Sequence, residues 1–358
     1  MKAIIINPGK KASARLAEVP TPVPNPNEVQ VKVLQVGFCR TDQEIYQGLY
    51  GQAPEGLDYL IMGHESLGRV TSIDEKAGNG LQEGDLVVRT VRRPCLDLCL
   101  NCRVGENDMC LTGNYLESGI KGLAGVMAEY FVERPDFLVP VPSELGSVAV
   151  LLEPLSFCEK VVYQAFKVQQ RMRWNPSSAL VFGAGPIGIL LTLLLKNIGL
   201  DVFTAGYSRK GNLKSELVER CGATYLSVIE GELDSLRGNK FDFVAEASGK
   251  ASNLYLGLSY LKNNGVMALT SITGEPERTE IPLGEINLSL VLGNKLIFGV
   301  VNASLRDYYR GLEHLHTFEQ KWPGLVNQLI TSRLTLDNYQ RGFEKKSEEI
   351  KAVLEFPN

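Results

Sequence analysis

The sequence lacks the features that mark membrane proteins and nucleic-acid-binding proteins. Its longest apolar run, Ile187–Leu195, is far shorter than the ~20 residues that a membrane-spanning helix needs. The net charge is -4 at pH 7, and no stripe of Lys and Arg indicates a nucleic-acid partner. The segment Met1–Gly9 has a short apolar run followed by polar residues, unlike a secretory signal. We therefore expect a cytoplasmic protein without a membrane or a nucleic acid as partner.

Cysteine is scarce, yet four of the seven cysteines lie within one stretch of sixteen residues: Cys95, Cys99, Cys102 and Cys110. Thiolates at these spacings can close on one metal ion, and four sulfurs around zinc make a saturated tetrahedral site. Such a site has no open position for a substrate. The alternative is a pair of disulfides, which the missing export signal and the short loops disfavour. The cluster therefore indicates a metal with a structural role.

The length of the chain, 358 residues, is too great for one ordinary core and suits two domains. Up to residue 140, short strand patterns such as Lys2–Ile6, Val29–Val36 and Leu86–Val88 are separated by Gly, Pro and Asn. This spacing predicts an irregular, β-rich first domain. Residues 143–169 then show apolar side chains three or four positions apart, which predicts a helix.

The second half of the chain alternates strand-like runs with segments of helix length. The runs are Ala179–Phe182, Val202–Ala205, Tyr225–Val228, Phe241–Ala247, Val266–Ile272 and Leu296–Val300. Six strands with helices between them are typical of a doubly wound parallel sheet, so we predict an α/β fold. From residue 304 the pattern is helical, and it closes with a strand over Ala352–Phe356.

A glycine-rich turn follows the first of these strands and opens an apolar helix. It has the sequence Gly183-Ala-Gly185-Pro186-Ile187-Gly188. The first glycine permits the tight turn, the second lets the backbone approach a pyrophosphate, and the third lets helix and strand pack closely. Amide donors at the helix N-terminus would then hold the phosphates. A glycine turn without a ligand is the alternative, and the six alternating strands disfavour it.

The end of the second strand predicts which dinucleotide binds. An enzyme that uses NAD usually carries Asp or Glu there for the ribose hydroxyls. Here Phe203–Gly206 contains no carboxylate, and Ser208, Arg209 and Lys210 follow at once. This set suits the 2′-phosphate of NADP, with Arg209 able to form a fork onto its oxygens. Arg and Lys in a loop are often a solvated pair, so use of NAD as well stays open.

Candidate ligands for a second metal are dispersed along the chain. They are Cys39, which precedes Arg40 and Thr41, then His64 and Glu65, and finally Glu153. Alone, each has an ordinary explanation as a buried thiol, a packed histidine or a surface carboxylate. Together with a nucleotide fold and a separate four-cysteine cluster, the set becomes specific for a catalytic metal.

On these residues the chain resembles the zinc-dependent medium-chain alcohol dehydrogenases over essentially its full length, and is most similar to the archaeal-type glucose 1-dehydrogenases. The closer similarity lies in Cys39–Asp42, Gly63–Glu65, Val91–Pro94, Glu117–Ile120, Glu153–Lys160, Asn175–Ala179 and Gly299–Asn302. The resemblance implies a GroES-like catalytic domain over residues 1–156 and a Rossmann domain over 157–305. It also implies that 306–358 packs back on the catalytic domain, and that the protein is a homo-oligomer, namely a tetramer.

The same resemblance implies roles for individual residues. Cys39, His64 and Glu153 would hold a catalytic zinc, with Glu65 as a further ligand or a neighbour of the ligands. The residues in contact with the sugar would be Thr41, Glu117, Glu153 and Asn302, the last of which would also contact the cofactor. The four clustered cysteines would hold a structural zinc. In the family two residues usually separate the first pair, whereas three separate Cys95 from Cys99, so Cys95 is the least certain ligand.

We therefore expect a zinc-dependent enzyme that oxidises an aldose, glucose or a close epimer such as galactose, at C1. The product would be the lactone, and the hydride would pass to NADP. A zinc dehydrogenase of the same fold that acts on a polyol or another sugar is the nearest alternative, because specificity lies in a few pocket contacts. A non-catalytic dinucleotide sensor is an alternative of another class, and the intact set Cys39, His64 and Glu153 disfavours it.

Overall fold

A computed structural model describes residues 1–73, 80–272, 278, 280–344 and 346–357. The chain forms two compact units. The first comprises Met1–Ser156, Asn302–Thr317 and Val326–Asn358, and the second comprises Phe157–Val301 and Phe318–Leu325.

In chain order, the strands are β1 (Lys2–Ile6), β2 (Arg15–Glu18), β3 (Val29–Gly37), β4 (Leu60–Ile61), β5 (Glu65–Ile73), β6 (Leu86–Arg89), β7 (Glu117–Ser118), β8 (Gly122–Leu123), β9 (Tyr130–Glu133), β10 (Leu138–Val141), β11 (Ser178–Phe182), β12 (Asp201–Gly206), β13 (Thr224–Ser227), β14 (Phe241–Glu246), β15 (Leu261–Leu269), β16 (Leu296–Gly299), β17 (Ile330–Leu334) and β18 (Lys351–Glu355). The α-helices are α1 (Arg40–Tyr46), α2 (Leu100–Arg103), α3 (Leu152–Val168), α4 (Pro186–Asn197), α5 (Leu213–Arg220), α6 (Ser252–Ser259), α7 (Leu283–Gly293) and α8 (Leu305–Lys321). Short 3₁₀ turns cover Asn107–Met109, Pro135–Phe137, Ser143–Leu145, Ala149–Leu151, Gln169–Arg171, Glu232–Leu236, Val326–Leu329 and Tyr339–Phe343.

The first unit is built on a sheet with the strand order β10-β6-β5-β3-β18-β17, to which β9 adds through β3. Strand β3 buries Val29, Val31 and Val33 and leaves the residues between them partly exposed, as the alternation of the sequence predicts. The C-terminal strand β18 pairs antiparallel with β3, and Gly37 of β3 also pairs with Glu65 of β5. This pairing brings the end of the chain to the start of β5, which matters for the site below.

The second unit confirms the predicted doubly wound sheet. Its six parallel strands have the order β13-β12-β11-β14-β15-β16, so the strand order reverses between β11 and β14. The central strand β11 is apolar and almost completely buried, as expected for a strand with helices on both faces. In such sheets ligands bind at the carboxyl ends of the strands where the order reverses.

The structure differs from the sequence-based expectation at two strands. Strand β15 begins at Leu261, earlier than the predicted Val266, and a register shift against β14 accommodates the turn-like Asn263-Asn264-Gly265. Strand β17 was not predicted because its mixed sequence, Ile-Thr-Ser-Arg-Leu, has no clear alternation. Among the described residues, none of the helices is both long and apolar enough to traverse a bilayer.

The last part of the chain is divided between the two units. The resemblance implied that residues 306–358 stay together on the catalytic domain, whereas 318–325 group with the second unit. Phe318 is fully buried and its ring lies 5.7 Å from that of Trp322. The amine of Lys321 donates to the side-chain oxygen of Asn197 in the same unit. The ring contact is internal to this segment, and the Lys321–Asn197 hydrogen bond links the segment to helix α4 of the second unit.

Candidate active site

Three of the predicted metal ligands lie together in the first unit. The ligand atoms of Cys39, His64 and Glu65 are all within 4.8 Å of one another. Cys39 Sγ and His64 Nε2 are 3.1 Å apart. Cys39 stands at the N-cap of α1, two residues after the end of β3, while His64 precedes β5 and Glu65 begins it. Neighbouring strands of one sheet thus bring these three donors together.

The N-cap position fixes the sulfur of Cys39. Its Sγ accepts the backbone N–H of Thr41 at 3.2 Å, and the Cys39 N–H donates to Asp42 Oδ2 at 2.9 Å. Burial raises the pKa of the Cys39 thiol, and the nearby His64 acts in the opposite direction. A thiol in such surroundings becomes a thiolate most readily when a cation stands beside it.

Asp42 orients His64 from the side opposite the sulfur. Its Oδ1 lies 3.7 Å from His64 Nδ1, and neither atom has a hydrogen-bond partner in the described part of the chain. Burial lowers the pKa of His64, but the charges of Cys39 and Asp42 outweigh it and leave that pKa well above the usual value. A carboxylate behind a metal-binding histidine is a common arrangement that fixes the ring and its tautomer. Asp42 was not among the predicted site residues, although it stands within the motif.

Lys351 compensates the charge of Glu65. The two side chains form an ion pair and are 2% and 3% exposed, respectively. Burial lowers the pKa of Lys351, but Glu65 and Cys39 raise it above the usual value. In the sequence this lysine shows itself merely as a cation at the start of an otherwise apolar strand, β18. It was not predicted as a site residue.

Glu153, the second residue of α3, lies beside this cluster without belonging to it. Like Cys39, it stays partly exposed, whereas His64 and Glu65 are buried. Desolvation of its carboxyl raises the pKa of Glu153 to about 7, and the charge of Glu65 adds to this effect. The fully buried phenol of Tyr308 has a raised pKa through burial and then through Glu153.

The donor set matches the preferences of zinc. Thiolate, imidazole and carboxylate are its usual protein ligands, and catalytic sites combine three of them with an open position. Of the atoms around these donors, Glu65 Oε2 is paired with Lys351, and the buried His64 Nδ1 lies beside Asp42 without a hydrogen bond to any described residue. The grouped donors Cys39, His64 and Glu65 therefore fit a zinc ion, while Glu153 lies beside them.

Two residues predicted to contact the sugar also meet in this unit. The side-chain amide of Asn302 donates to Glu117 Oε1 at 2.9 Å. Asn302 has a left-handed backbone with φ of 60°, a conformation that asparagine tolerates better than most residues. Thr41, two residues after Cys39, is partly exposed, and its hydroxyl has no hydrogen-bond partner within the described ranges.

The four clustered cysteines form a second group with metal-binding geometry. All four sulfurs lie within 4.8 Å of one another, and every cysteine in the chain is a free thiol, so no disulfide competes. The Cys99 N–H donates to Cys95 Sγ at 3.3 Å, and the Cys95 N–H donates to Cys102 Sγ at 3.4 Å. The additional residue between Cys95 and Cys99 is accommodated where Leu98 adopts a positive φ of 44°. Cys95 thus stands with Cys110 and the others despite the unusual interval.

The environment of the cluster favours thiolate formation at one member. The N–H of Leu111 donates to Cys99 Sγ at 3.4 Å and is the largest cause that lowers the pKa of Cys99, to about 6. Burial raises the pKa of Cys102 to about 12. Metal binding would have to displace the proton of Cys102, and structural sites of four thiolates do this routinely.

The glycine-rich turn of the second unit has the geometry that close backbone approach requires. Gly183 has a φ of 109°, and a Cβ on it would meet the backbone of Ala247. A Cβ on Gly188 would collide with the carbonyl oxygen of Gly183. Helix α4 begins at Pro186, and its N-cap Gly185 offers no side chain to occupy the helix N-terminus. The first turn of α4 therefore remains open for a phosphate.

The three predicted cofactor residues in the loop after β12 differ in how far other residues already engage them. Arg209 is exposed and forms no ion pair with the part of the chain that the structure describes. The Lys210 amine is paired with Glu232 Oε1 at 2.8 Å. The backbone of Ser208 is held by Tyr225, whose hydroxyl accepts the Ser208 N–H at 3.2 Å and donates to the Ser208 carbonyl at 2.9 Å. Arg209 is thus the side chain most available for an anionic ligand.

The end of β12 has no room for a side chain. Gly206 is its last residue, and a Cβ there would collide with the hydroxyl and ring atoms of Tyr225. Tyr225 itself is fully buried. A carboxylate for the ribose hydroxyls is therefore missing from this position, and the buried phenol fills the adjacent space.

Comparison with known proteins agrees with this architecture. The alcohol dehydrogenase GroES-like domain matches residues 25–143, and the glucose dehydrogenase C-terminus matches residues 146–356. Glucose 1-dehydrogenase of Methanocella arvoryzae is 42% identical over 360 residues, and that of Thermoproteus tenax is 41% identical over 361, with 99% of each chain covered in both cases. Among solved structures, Haloferax mediterranei glucose dehydrogenase in complex with NADP, Zn and gluconolactone has a TM-score of 0.90, with 30% identity and 100% of both chains covered.

A GroES-like domain together with a six-stranded Rossmann sheet defines the zinc-type medium-chain dehydrogenases. Within that class, the chain belongs to the glucose dehydrogenase family. The resemblance that the sequence motifs indicated is thus confirmed.

Proposed function

We propose that this protein oxidises an aldose at C1 to the aldonolactone and transfers the hydride to NADP. Glucose is the substrate we favour, and galactose, which differs at one carbon, is the next. The buried donor cluster of Cys39, His64 and Glu65 carries this proposal, because a protein that only bound a dinucleotide would need no such site. The relatives named glucose 1-dehydrogenase and the related complex with gluconolactone support it.

The side chains around the cluster would have distinct roles. Cys39, His64 and Glu153 would hold the catalytic zinc, with Glu65 as a ligand or as an anion that Lys351 keeps neutralised. When bound, zinc acts as a Lewis acid that lowers the pKa of the sugar hydroxyl, and NADP accepts the hydride.

Proton transfer and sugar orientation would depend on three other residues. The Thr41 hydroxyl is positioned by the first turn of α1, where it would accept the substrate proton and pass it outward. Glu117 and Asn302, which already share a hydrogen bond, would bind hydroxyls of the ring. Buried polar groups of this kind discriminate strongly between substrates that satisfy them and substrates that do not.

A panel of substrates tests the proposal directly. We expect initial rates to be highest with glucose or galactose and NADP, lower with polyols, and abolished by dialysis against a strong chelator. Higher rates on polyols than on every aldose would favour the alternative of a polyol dehydrogenase. Turnover that is absent before and after zinc is supplied, with NADPH binding intact, would instead identify a dinucleotide sensor.

The choice of cofactor has its own test in the loop after β12. Arg209→Ala should raise the KM for NADP far more than the KM for NAD, because only NADP offers a 2′-phosphate to the guanidinium. Lys210→Ala is the matched control, since the Lys210 amine is paired with Glu232 and should matter less. Equal changes with both cofactors in Arg209→Ala would contradict the assignment.

Two apolar surfaces support assembly into a homo-oligomer, which we propose to be a tetramer. On the second unit, α7 exposes Leu283, Leu288, Val291 and Leu292, with Leu292 71% exposed. On the first unit, the four-cysteine lobe exposes a separate group of apolar side chains: Leu96, Leu98, Leu100, Val104, Met109 and Leu111. A tetramer with dihedral symmetry needs two such self-complementary surfaces, and light scattering would measure its mass.

We also propose a cytoplasmic location, in agreement with seven free thiols.

A further inference from the structure

The side chain of Arg92 connects the four-cysteine lobe to the carboxylate of Glu117. Its Nε and Nη2 donate to Glu117 Oε1 at 3.0 and 2.8 Å, and its Nη1 donates to the carbonyl oxygen of Asp108 at 3.0 Å. The guanidinium carbon lies 3.7 Å from the centre of the Tyr115 ring, and Arg92 is only 5% exposed. One rigid, planar cation therefore touches both the lobe and the candidate sugar site.

The backbone beside Arg92 forms the base of the lobe. Arg92 and Glu117 face each other in an antiparallel bridge, and the Ser118 N–H donates to the Val91 carbonyl at 2.9 Å. The chain between these residues, which includes all four clustered cysteines, leaves and returns at this one place. Glu117 and Ser118 thus directly follow the lobe in the chain and are hydrogen-bonded at its base.

Asp108 links this base to the cysteine cluster. It lies in the 3₁₀ turn Asn107–Met109, whose C-cap is Cys110, so the Asp108 carbonyl is two residues from a sulfur. A metal on the four sulfurs would fix that turn and hence the carbonyl that Arg92 binds. A second contact runs parallel to it, since Arg306, four residues after Asn302, lies 3.7 Å from Glu106 of the same lobe.

We propose that Arg92 is a positioning residue that couples metal occupancy of the four-cysteine site to the affinity of Glu117 for the sugar. This inference rests on the proposed function, in which Glu117 binds a sugar hydroxyl. The Oε1 atom accepts three hydrogen bonds, two from Arg92 and one from Asn302, while Oε2 accepts none from any residue that the structure describes. The guanidinium thus fixes one oxygen and leaves the other available for a ligand.

The chemistry of the carboxylate makes this coupling effective. Glu117 is 4% exposed, so a loss of its cation would leave a buried charge with few partners. Hydrogen bonds to charged groups change equilibrium constants by roughly 10- to 100-fold. We therefore expect displacement of Arg92 to raise the KM for the sugar by about tenfold or more, with a much smaller effect on kcat.

A double-mutant cycle tests the coupling in the zinc-loaded enzyme. Arg92→Lys keeps the charge but loses the fork, and Cys110→Ser removes a sulfur from the lobe. Each should raise the KM for the sugar, and the double variant should raise it little further, because both changes break the same chain of contacts. Arg69→Lys, an exposed arginine on β5, is the control and should leave the KM unchanged. If the fold increase in KM of the double variant equals the product of the fold increases of the two single variants, the coupling is overturned.

A second measurement does not depend on activity. Hydrogen exchange at the amides of Glu117 and Ser118 should speed up in Cys110→Ser, with one zinc per chain lost, and should respond less to that change when Arg92→Lys is already present. Unchanged exchange at these amides after loss of the lobe metal would overturn the proposal. If Cys110→Ser does not fold, Cys99→Ser with and without Arg92→Lys provides the same comparison.

The two readouts separate this inference from the proposed function. If the wild type oxidises no sugar but exchange responds as expected, the proposed function fails and the coupling stands. If the wild type oxidises aldoses but the cycle is multiplicative, the coupling fails and the function stands.

Discussion

The four-cysteine lobe offers metal ligands in a different way from the site formed by Cys39, His64 and Glu65 with Glu153 beside them, which we call the Cys39 pocket. The lobe takes its sulfurs from one loop of sixteen residues, and Cys99 and Cys110 are partly exposed. The pocket takes its grouped donors from the N-cap of α1 and the start of β5, has Glu153 of α3 beside them, and buries His64 and Glu65. The lobe supplies four similar donors, whereas the pocket supplies donors of three chemical kinds.

The difference teaches what each site can do. Four thiolates saturate zinc, so the lobe can stabilise the chain but cannot admit a substrate. In the pocket, Cys39 and Glu153 are partly exposed, whereas His64 and Glu65 are buried and have Asp42 and Lys351 beside them. Buried charges thus hold two of these residues, while the other two remain partly accessible. The following experiments are ordered from the largest expected effect to the smallest.

Loss of a pocket ligand should have the largest effect on turnover. Cys39→Ser and His64→Ala should each lower kcat by about 10³-fold or more, because a Lewis acid contributes several kcal/mol to such a reaction. NADPH binding should be nearly unchanged, and the zinc content should fall by one per chain. Cys221→Ser is the control, since that thiol donates to the Val218 carbonyl in the second unit. A near-native rate in either pocket variant would contradict the ligand assignment.

Loss of the Glu133 carboxylate, which pairs with Arg89 and Arg93, should chiefly lower the stability of the fold. Glu133 is buried, and the charges of Arg89 and Arg93 outweigh that burial and lower the pKa of Glu133 to about 2. Glu133→Gln would leave two buried arginines without their anion, which costs about 3–5 kcal/mol of unfolding free energy. Urea unfolding at pH 7 would measure it.

The pH dependence of this pair has a definite sign. Because the pKa of Glu133 is lower in the folded state than in the unfolded chain, its stabilisation is complete above pH ~5 and is lost as the pH falls toward 2. The difference in unfolding free energy between the wild type and Glu133→Gln should therefore be constant above pH ~5 and shrink below it. If this difference in unfolding free energy grew on acidification, the charge of Glu133 would not be what stabilises the fold.

The partner of the pocket histidine should have an intermediate effect. Asp42→Asn keeps an oxygen for the Cys39 N–H but removes the charge that faces His64 Nδ1. We expect zinc affinity to fall by about 10- to 100-fold, as for other carboxylates behind metal-binding histidines. Excess zinc should restore most of the activity. If zinc affinity is native and only kcat falls, Asp42 acts on the reaction and not on the metal.

Loss of a lobe sulfur should have the smallest effect on kcat. Cys95→Ser should release the lobe zinc and lower Tm by roughly 5 °C, because structural zinc contributes folding energy. The kcat should stay within about threefold of the wild type if the pocket retains its metal. Metal analysis and calorimetry would measure both, and retention of two zinc ions per chain would show that Cys95 is not a ligand.

The two regions also differ in how far the sequence predicts them. The lobe is local, so its cysteine spacing alone indicated a metal site. The six strands of the second unit were predicted because buried parallel strands are short apolar runs between helices. Lys351 could not be predicted, because only the pairing of β18 with β3 brings it to Glu65. Asp42 was visible in its motif, but its contact with His64 depends on the turn before β5. Arg209 and Lys210 looked alike in sequence, and only the position of Glu232 distinguishes them.

The phenol of Tyr225 restricts how the cofactor preference of this chain can change. A carboxylate introduced at Gly206 would enter space that the ring already fills, and the same hydroxyl also holds Ser208. Gly206→Asp alone should therefore damage the loop before it creates a site for the ribose hydroxyls. Shortening Tyr225 alone would in turn remove the hydroxyl that holds Ser208, so a carboxylate at this position requires both changes together.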